Sequence, residues 1–281
     1  MQSVNPEDNS LRHRTLELLS YNIQNGVKTE YYRDYITKSW KHLVPLRERV
    51  SNLNRVATLV REFDFVGLQE VDSGSIRSGF LDQTEYLAHR GDFPWWFRQV
   101  NRNMGRIAQH SNGVLSRICP EQVHEHKLPG LRGRGAVLVE IRTSEKPLMI
   151  CIMHLALGSR ARMRQLAYIS DLVAEHPWLV VMGDFNCALD SVELNHLIDN
   201  THLKLPARVL KTFPSWQPKH KYDHILVSDQ LTVSEPRVLE QTHSDHLPIS
   251  VRIELPEGTC IRQGKCRPVT LLPDGSSGTE S

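Results

Sequence analysis

Short apolar segments recur along the chain and are bounded by Gly, Pro, Asn or Ser, a pattern typical of β-strands. Eight segments of this kind predict strands, and they are Leu16–Ile23, Phe65–Gln69, Gly113–Ser116, Gly135–Ile141, Leu148–His154, Leu179–Gly183, His224–Val227 and Leu247–Ile253. Several are apolar almost throughout, as strands buried on both faces of a sheet should be.

Helical periodicity fills several of the intervals between these strands. Apolar residues recur at helical spacing in two intervals, at Leu53, Val56, Leu59, Val60 and Phe63 and at Leu166, Ile169, Leu172 and Val173. Asp190, with Glu193 three residues later, resembles a capping box and predicts the start of a third helix. Because segments 135–141 and 148–154 are too close to be joined by a crossover helix, the sheet must be mixed, and an α/β sandwich is predicted.

The ends of the chain differ in composition from its centre. Residues 1–13 are polar, and residues 256–281 are rich in Pro, Gly and Ser without periodicity. We therefore expect a polar N-terminal segment over residues 1–13, one domain over residues 14–255 and a flexible tail over residues 256–281.

The overall composition changes this picture little. Hydrophobic residues make up 40% and charged residues 23% of the chain, as in ordinary globular proteins, and a formal net charge of +2 neither demands nor excludes a nucleic-acid partner. No apolar run reaches the roughly 20 residues that cross a bilayer. The five cysteines, an odd number, favour a reducing compartment over a disulfide framework. A cytoplasmic protein without a transmembrane segment is predicted, with no obligate protein partner evident.

Polar residues capable of chemistry stand at the ends of the predicted strands. Each is an acid, an amide or an imidazole directly beside apolar sequence, and they are Asn22, Glu70, His154, Asp184, Asn186, Asp223, Asp245 and His246. A charged group in such a place costs free energy unless it is paired or binds an ion. Each alone has an ordinary structural explanation, since Gly183-Asp184, for example, is typical of an Asx turn. The ordered set has no such explanation and indicates a polar cleft.

The order of these motifs resembles the endonuclease/exonuclease/phosphatase superfamily over about residues 16–255. The resemblance is carried by Gly183-Asp184-Phe185-Asn186, by Ser244-Asp245-His246, and by the strand His110–Arg117, which is similar to the family's Gly-Asn-Ala-Ile-Leu-Ser-Arg strand. Thr212–Trp216 makes the chain similar to small bacterial members. The resemblance implies an α/β fold, a four-layer sandwich in which two mixed β-sheets pack face to face with helices outside.

The activity that the resemblance implies is divalent-metal-dependent hydrolysis of a phosphodiester by in-line attack of water. A phosphodiester is anionic and repels a nucleophile, so a hard cation must neutralise it, and carboxylate oxygens suit Mg²⁺ or Mn²⁺. Glu70, at the end of an apolar strand, is the first candidate metal ligand. The resemblance places Asp245 and the Asn22 amide near it, and leaves open whether one metal or two are bound.

The other motif residues match the family's catalytic positions. Asp184 resembles the carboxylate that positions the attacking water, and His246 with Asp223 resembles the catalytic His–Asp pair. Either His246 or Asp184 could take the proton. His154 and Asn186 would donate hydrogen bonds to the phosphate oxygens or to the leaving group.

Nucleic acid is the expected substrate. The alternatives are a phospholipid head-group phosphodiesterase or phosphatase, and a non-catalytic phosphate-binding module, which would need neither Asp184 nor the Asp223–His246 pair. Candidate substrate-binding residues are Asn112, Arg160 and Arg164, and the two arginines either hold a second phosphate or form the solvated first turn of a helix.

Two further segments carry alternative interpretations. Arg132 and Arg134, in a Gly-rich loop, have the same two readings as Arg160 and Arg164. Residues Thr29–His42 interleave basic and aromatic side chains, which could contact bases and phosphates or could pack as a cover on the sheet.

Overall fold

The computed structural model describes residues 14–24, 46–74, 81–103, 109–130 and 133–262. The predicted N-terminal segment, the interleaved basic and aromatic residues 29–42, and residues 263–281 of the predicted tail lie outside the described residues. None of the helices in the described ranges is long and apolar enough to cross a membrane.

The described residues form two mixed β-sheets and four α-helices. The first sheet contains β1 (Thr15–Asn22), β2 (Phe65–Asp72), β3 (Trp95–Asn103), β4 (Gln109–Ser116), β11 (Thr232–Val233), β12 (Arg237–Val238) and β13 (Ile249–Glu254). The second contains β5 (Gln122–Lys127), β6 (Gly135–Ile141), β7 (Leu148–His154), β8 (Leu179–Asp184), β9 (Leu203–Lys204) and β10 (Asp223–Ser228). The helices are α1 (Leu46–Val60), α2 (Gln83–Arg90), α3 (Ser159–Val173) and α4 (Val192–Asp199).

Strand order explains why both sheets are mixed. The first sheet runs β11-β13-β1-β2-β4-β3, with β12 also paired to β13, and the second runs β5-β6-β7-β8-β10-β9. In each sheet one central pair is parallel, β1 with β2 and β7 with β8, while the other pairs are antiparallel. In each parallel pair the carboxyl ends of the two strands lie side by side at the same end of the sheet, where polar side chains can gather.

The two sheets pack face to face and a pair of helices covers each outer face. Alternate residues of the strands divide between the layers, so that Leu18 lies in the core between the sheets and Leu19 in the core beneath α1 and α2. In the second sheet, Ile150 faces the first sheet and Met149 packs with α3 and α4. The predicted four-layer α/β sandwich is confirmed.

The sequence pattern does not predict β3, β5, the two-residue strands β9, β11 and β12, or helix α2. β3 and β5 are edge strands, and their inward positions include polar residues such as Gln99, whose amide donates to the carbonyls of His126 and Ala136. Helix α4 begins one residue later than predicted, because Ser191 rather than Asp190 is the N-cap and its hydroxyl accepts from the amide of Leu194.

The packed part of the chain extends past residue 255, where the predicted tail begins. The Cys260 carbonyl accepts from the Ser144 amide at 2.8 Å, and the Arg262 amide donates to the Arg142 carbonyl at 3.0 Å. Thr259 is buried. Residues 256–262 therefore pack against the turn between β6 and β7.

Candidate active site

The sheet pairings bring the predicted motif residues to one place. In the second sheet His154 pairs in register with Asp184, and Asp184 pairs with Asp223. In the first sheet, Asn22 ends β1 and its amide donates to Asp184 Oδ2 at 3.1 Å. One cleft between the two sheets thus collects side chains from β1, β7, β8 and β10.

Glu70 reaches this cleft through a distorted backbone. The pairing of β2 with β4 shifts register between Leu68 and Val71, and Glu70 within this bulge has φ of +55°. A left-handed conformation at a residue other than glycine is a strain of the kind that collects at functional sites. It directs the half-buried carboxylate of Glu70 into the cleft, with Oε1 3.8 Å from His154 Nε2.

Gly183 explains why the Gly-Asp motif needs its glycine. Its φ is +146°, and a Cβ added there would lie 1.9 Å from the backbone oxygen of Met153 on the neighbouring strand. Only glycine allows β7 and β8 to approach closely enough to set His154 against Asp184.

This close approach gives a stability prediction. We expect Gly183→Ala to lower the free energy of unfolding by about 2 kcal/mol or more, because backbone must move to admit the methyl group. Gly158, the N-cap of α3, is the matched control, since its φ is −90° and nothing lies within 4 Å of an added Cβ. Gly158→Ala should cost about 0.5 kcal/mol. Urea unfolding of both variants measures the difference, and equal losses would contradict the packing argument.

His246 is held by a buried carboxylate. Its Nδ1 lies 2.8 Å from Asp223 Oδ2, which also accepts a hydrogen bond from the Thr212 hydroxyl. This leaves Nε2 facing Asp184 Oδ2 at 3.9 Å. Burial alone would lower the pKa of His246, but the negative charges of Asp223 and Asp184 raise that pKa well above its usual value.

His154 has a cation as its neighbour. The Arg134 guanidinium lies 3.1 Å from Nδ1, and because guanidinium only donates, Nδ1 must accept and the proton of the neutral ring lies on Nε2. That Nε2 faces Asp184 Oδ2 at 3.5 Å and Glu70 Oε1 at 3.8 Å. Burial lowers the pKa of Arg134, while the charges of Glu70 and Asp184 oppose that shift.

Asp184 is the centre of the cluster. It accepts from the Asn22 side chain at 3.1 Å and from the Asn186 backbone amide at 2.9 Å. Burial raises the pKa of Asp184 to about 7, although the charge of His246 acts in the opposite direction. The Asn186 side chain, predicted to contact substrate, donates at 2.9 Å to the Leu155 carbonyl and so connects the loops after β7 and β8.

Asp245 adds a further buried carboxylate. Its Oδ1 accepts from the Ser244 hydroxyl, and that hydroxyl also lies 2.7 Å from the Asn22 carbonyl, which fixes the loop to β1. Burial raises the pKa of Asp245 to about 6, and the negative charge of Glu70 adds to the shift. Glu70 and Asp245 are therefore close enough to repel each other.

The donor set fits a hard divalent cation. Four carboxylates share the cleft, namely those of Glu70, Asp184, Asp223 and Asp245, and burial makes the charges of Asp184 and Asp245 costly in the absence of a counter-ion. Among the described residues, Asp184, Asp223 and His246 place one ligand atom each within 4.8 Å of one another, a set different from the predicted Glu70, Asp245 and Asn22. Asp223 and His246 already bond each other, and both oxygens of Asp184 accept hydrogen bonds. Glu70 and Asp245 are therefore the carboxylates best placed to bind an ion.

Within the described ranges, no hydrogen bond or ion pair joins the three predicted substrate-binding residues to the acids and histidines of this cluster. Asn112 is buried between the sheets, and its amide donates to the Gly135 carbonyl at 2.9 Å and to Gln99 Oε1 at 3.2 Å. Arg160 and Arg164 are exposed on α3, and within the described ranges neither pairs with a carboxylate. All three remain predictions as substrate contacts.

Sequence reasoning left Arg134 ambiguous and gave Thr212 and Phe213 no role. The antiparallel register of Ala136 with Met153 is the signal that could have found Arg134, because it sets the residues before β6 beside the end of β7. The Phe213 ring packs on His246 with centroids 4.8 Å apart, a contact that no local pattern records.

Comparison with known proteins agrees with this geometry. The model of the Endonuclease/Exonuclease/phosphatase family matches residues 19–246, which span every residue of the cluster. The chain belongs to the Endonuclease/Exonuclease/phosphatase family. This confirms the resemblance seen in the motifs. No curated protein matches the chain.

Solved structures share the family fold at low sequence identity. A family member from Beutenbergia cavernae has a TM-score of 0.65 at 19% identity, covering 86% of this chain and 72% of its own. The mannosyl-6-phosphatase of Bacteroides thetaiotaomicron has a TM-score of 0.62 at 16% identity, covering 85% and 99%. A humanized TDP2 of D. rerio has a TM-score of 0.60 at 14% identity, covering 85% and 99%.

Proposed function

We propose that this protein is a divalent-metal-dependent phosphodiesterase that hydrolyses nucleic acid by in-line attack of water. The observation that carries the proposal is the buried set of Asp184, His246 and Asp223 beside the carboxylates of Glu70 and Asp245. A module that only binds phosphate gains nothing from three buried acids, which repel the ligand. The acids become useful when a cation is bound and when a proton must be taken from water.

Glu70 and Asp245 would hold the metal. Mg²⁺ or Mn²⁺ bound there would neutralise the negative charge of the phosphate. Glu70 suits this role because the bulge in β2 presents its carboxylate to the cleft, and because its side chain keeps 26% of its accessible surface while Asp184 keeps 3%.

Asp184 is the proposed acceptor of the water proton. Two hydrogen-bond donors fix its carboxylate, and burial sets its pKa near neutral pH, which is where a general base works best. His246, kept charged by Asp223 and Asp184, would stabilise the negative charge that develops on the phosphate oxygens.

His154 and Arg134 would hold the substrate from the other side. Arg134 sets His154 in the tautomer that donates from Nε2. A guanidinium and an imidazole N–H side by side match the acceptor oxygens of a phosphate. Arg134 and the charged His246 would then both attract the negatively charged phosphate to the cleft.

A substrate panel with metal removal tests the proposal. Purified protein with Mn²⁺ or Mg²⁺ should hydrolyse at least one of plasmid, single-stranded DNA, RNA, abasic duplex or bis-p-nitrophenyl phosphate. EDTA should abolish that activity, and added metal should restore it, because the carboxylates alone cannot neutralise a phosphodiester. Calorimetric titration with Mn²⁺ should show weaker binding for Glu70→Gln than for Glu62→Gln, a control at an exposed position on the surface.

Two results would count against this function. Full activity in EDTA would exclude the metal-dependent mechanism. Hydrolysis confined to phospholipid vesicles or to phosphomonoesters would place the substrate in one of the alternative classes.

A further inference from the structure

A short hairpin lies beside the catalytic histidine and is not explained by the chemistry described above. Residues 211–222, here called the aromatic hairpin, contain Phe213, Trp216, His220 and Tyr222. Phe213 and His220 form an antiparallel bridge, with the two amides and carbonyls exchanging hydrogen bonds at 2.8 and 3.2 Å. The hairpin is thus a defined structure and not a loose loop.

The aromatic hairpin is fastened to the loop that carries His246. The Ser215 amide donates to the Asp245 carbonyl at 2.7 Å, and the Ser215 hydroxyl donates to the Ser244 carbonyl at 2.6 Å. The Leu247 amide donates to the Thr212 carbonyl at 2.9 Å. Any molecule that the hairpin holds is therefore held at a fixed position relative to His246.

The hairpin packs three rings into a cluster beside the active site, and Phe213 contacts both of the others, with its centroid 6.2 Å from that of His220. The centroid of Phe213 lies 4.8 Å from that of His246 and 5.8 Å from that of Tyr222. Tyr222 and His220 stack with centroids 5.1 Å apart and planes inclined by only 6°. Of these three residues only His220 is exposed, while Phe213 and Tyr222 are half-buried. Packing on His246 accounts for Phe213, but it does not require an exposed imidazole stacked in parallel on Tyr222.

The charge of the hairpin points to the same kind of ligand. Lys211, Lys219 and Lys221 lie within it, and its twelve residues include no Asp or Glu. Within the part of the chain that the structure describes, none of the three lysines pairs with a carboxylate. Stacked rings beside unpaired cations are the features with which proteins bind single-stranded nucleic acids.

We propose that the aromatic hairpin is the binding surface for single-stranded nucleic acid, in which a nucleobase next to the scissile phosphate stacks on the outer face of His220, whose other face is backed by Tyr222. The lysines contact the neighbouring phosphates, and the fixed link to His246 sets the distance between the stacked base and the reacting phosphate. This rests on the proposed phosphodiesterase function and names the substrate class of that site.

A lipid surface is a poorer match to the hairpin. Segments that enter membranes expose apolar side chains at their tips. The exposed residues of the hairpin are Lys211, Gln217, Lys219 and His220, all of them polar, while its large apolar side chains, Phe213 and Trp216, are half-buried. Stacking on a planar base needs the face of an exposed ring, which His220 supplies.

Comparison of two labelled oligomers tests the stacking. Fluorescence anisotropy in EDTA measures the affinity of the full-length protein for a short oligothymidylate and for a base-free deoxyribose phosphate oligomer of equal length. Each stacked base should make the oligothymidylate bind about fivefold to 100-fold more tightly than the base-free oligomer. In His220→Ala this ratio should fall towards one. His89→Ala, an exposed histidine on α2, should leave the ratio unchanged.

The outcomes separate this proposal from the proposed function. A ratio of one in the wild-type protein, or a ratio that His220→Ala leaves unchanged, overturns the stacking surface even where the substrate panel shows hydrolysis. Binding to neither oligomer also overturns it, as does binding to anionic phospholipid vesicles that is lost in His220→Ala. A ratio that depends on His220 supports the surface, and a panel without hydrolysis then counts against catalysis alone.

Discussion

Asp223→Asn and His246→Ala are each expected to lower kcat by about 10²- to 10⁴-fold, with little further loss in the double variant. Asp223 Oδ2 lies 2.8 Å from His246 Nδ1, so we expect Asp223 to act through that ring. The carboxylate orients the imidazole and keeps it charged. Once the ring is removed, the carboxylate has nothing left to orient.

A double-mutant cycle measures this dependence. Residues that act as a unit give a coupling energy close to the smaller single effect, whereas independent residues give losses that multiply. The matched comparison pairs His246→Ala with His89→Ala, whose position on α2 lies outside the cleft and should give no coupling. Losses that multiply for Asp223 and His246, or normal turnover in His246→Ala, would refute the assignment.

Thr212 offers a finer test of the same network. Its hydroxyl donates to the oxygen of Asp223 that holds His246. Thr212→Val removes that donor with little change of shape, so we expect a smaller loss of kcat than for Asp223→Asn.

Asp184→Asn is expected to lower kcat by about 10²- to 10⁴-fold without lowering the free energy of unfolding. The carboxylate is nearly inaccessible to solvent, and burial raises its pKa to about 7 from the usual 3.8. An ionised group with a raised pKa costs the folded state free energy at neutral pH. A neutral amide removes this cost, as expected of a residue kept for chemistry and not for stability.

The sign of this effect fixes its dependence on pH. Because the pKa of Asp184 is higher in the folded than in the unfolded protein, folding favours the protonated carboxyl. The contribution of this carboxyl to the free energy of unfolding is therefore complete below pH 3.8 and is lost as the pH rises through about 7. In metal-free buffer the stability of Asp184→Asn relative to the wild type should therefore increase between these limits and level off above them.

Urea unfolding across that pH range, together with kcat in Mn²⁺, checks both parts. Asp92→Asn is the matched control, because Asp92 is exposed on the surface and its φ of +58° is a conformation that Asn tolerates. It should retain activity and show no such pH trend. A destabilised Asp184→Asn with normal turnover would mean that Asp184 is a structural residue.

Much of this molecule follows from local sequence. The interior strands β1, β2, β7 and β8 are largely apolar on both faces, because the other sheet covers one face and helices cover the other. This pattern can be recognised in the sequence alone. The motif residues stand at the ends of those strands for the same reason, since an acid is tolerated only where the buried strand opens into a cleft. Glu70, His154 and Asp184 could therefore be chosen from the sequence.

Tertiary structure decided what the local pattern could not record. The edge strands β3 and β5 exist because β4 and β6 supply their partners, and their own side chains are too polar to predict them. Arg162, which lies between the exposed Arg160 and Arg164 on α3, bonds Glu193 of α4 at 2.8 Å and so connects the two helices. Only the packing of the two helices determines that partner.

The contacts that give the cleft its chemistry join residues far apart in the chain. Asn22 meets Asp184 across 162 residues, and Arg134 meets His154 because β6 and β7 pair in one particular register. The sequence by itself determined which residue types stand at the strand ends, since burial of the strands demands it. The pairing of the strands decided which acid faces which imidazole, because hydrogen-bond register and sheet packing set those distances and the one-dimensional pattern does not.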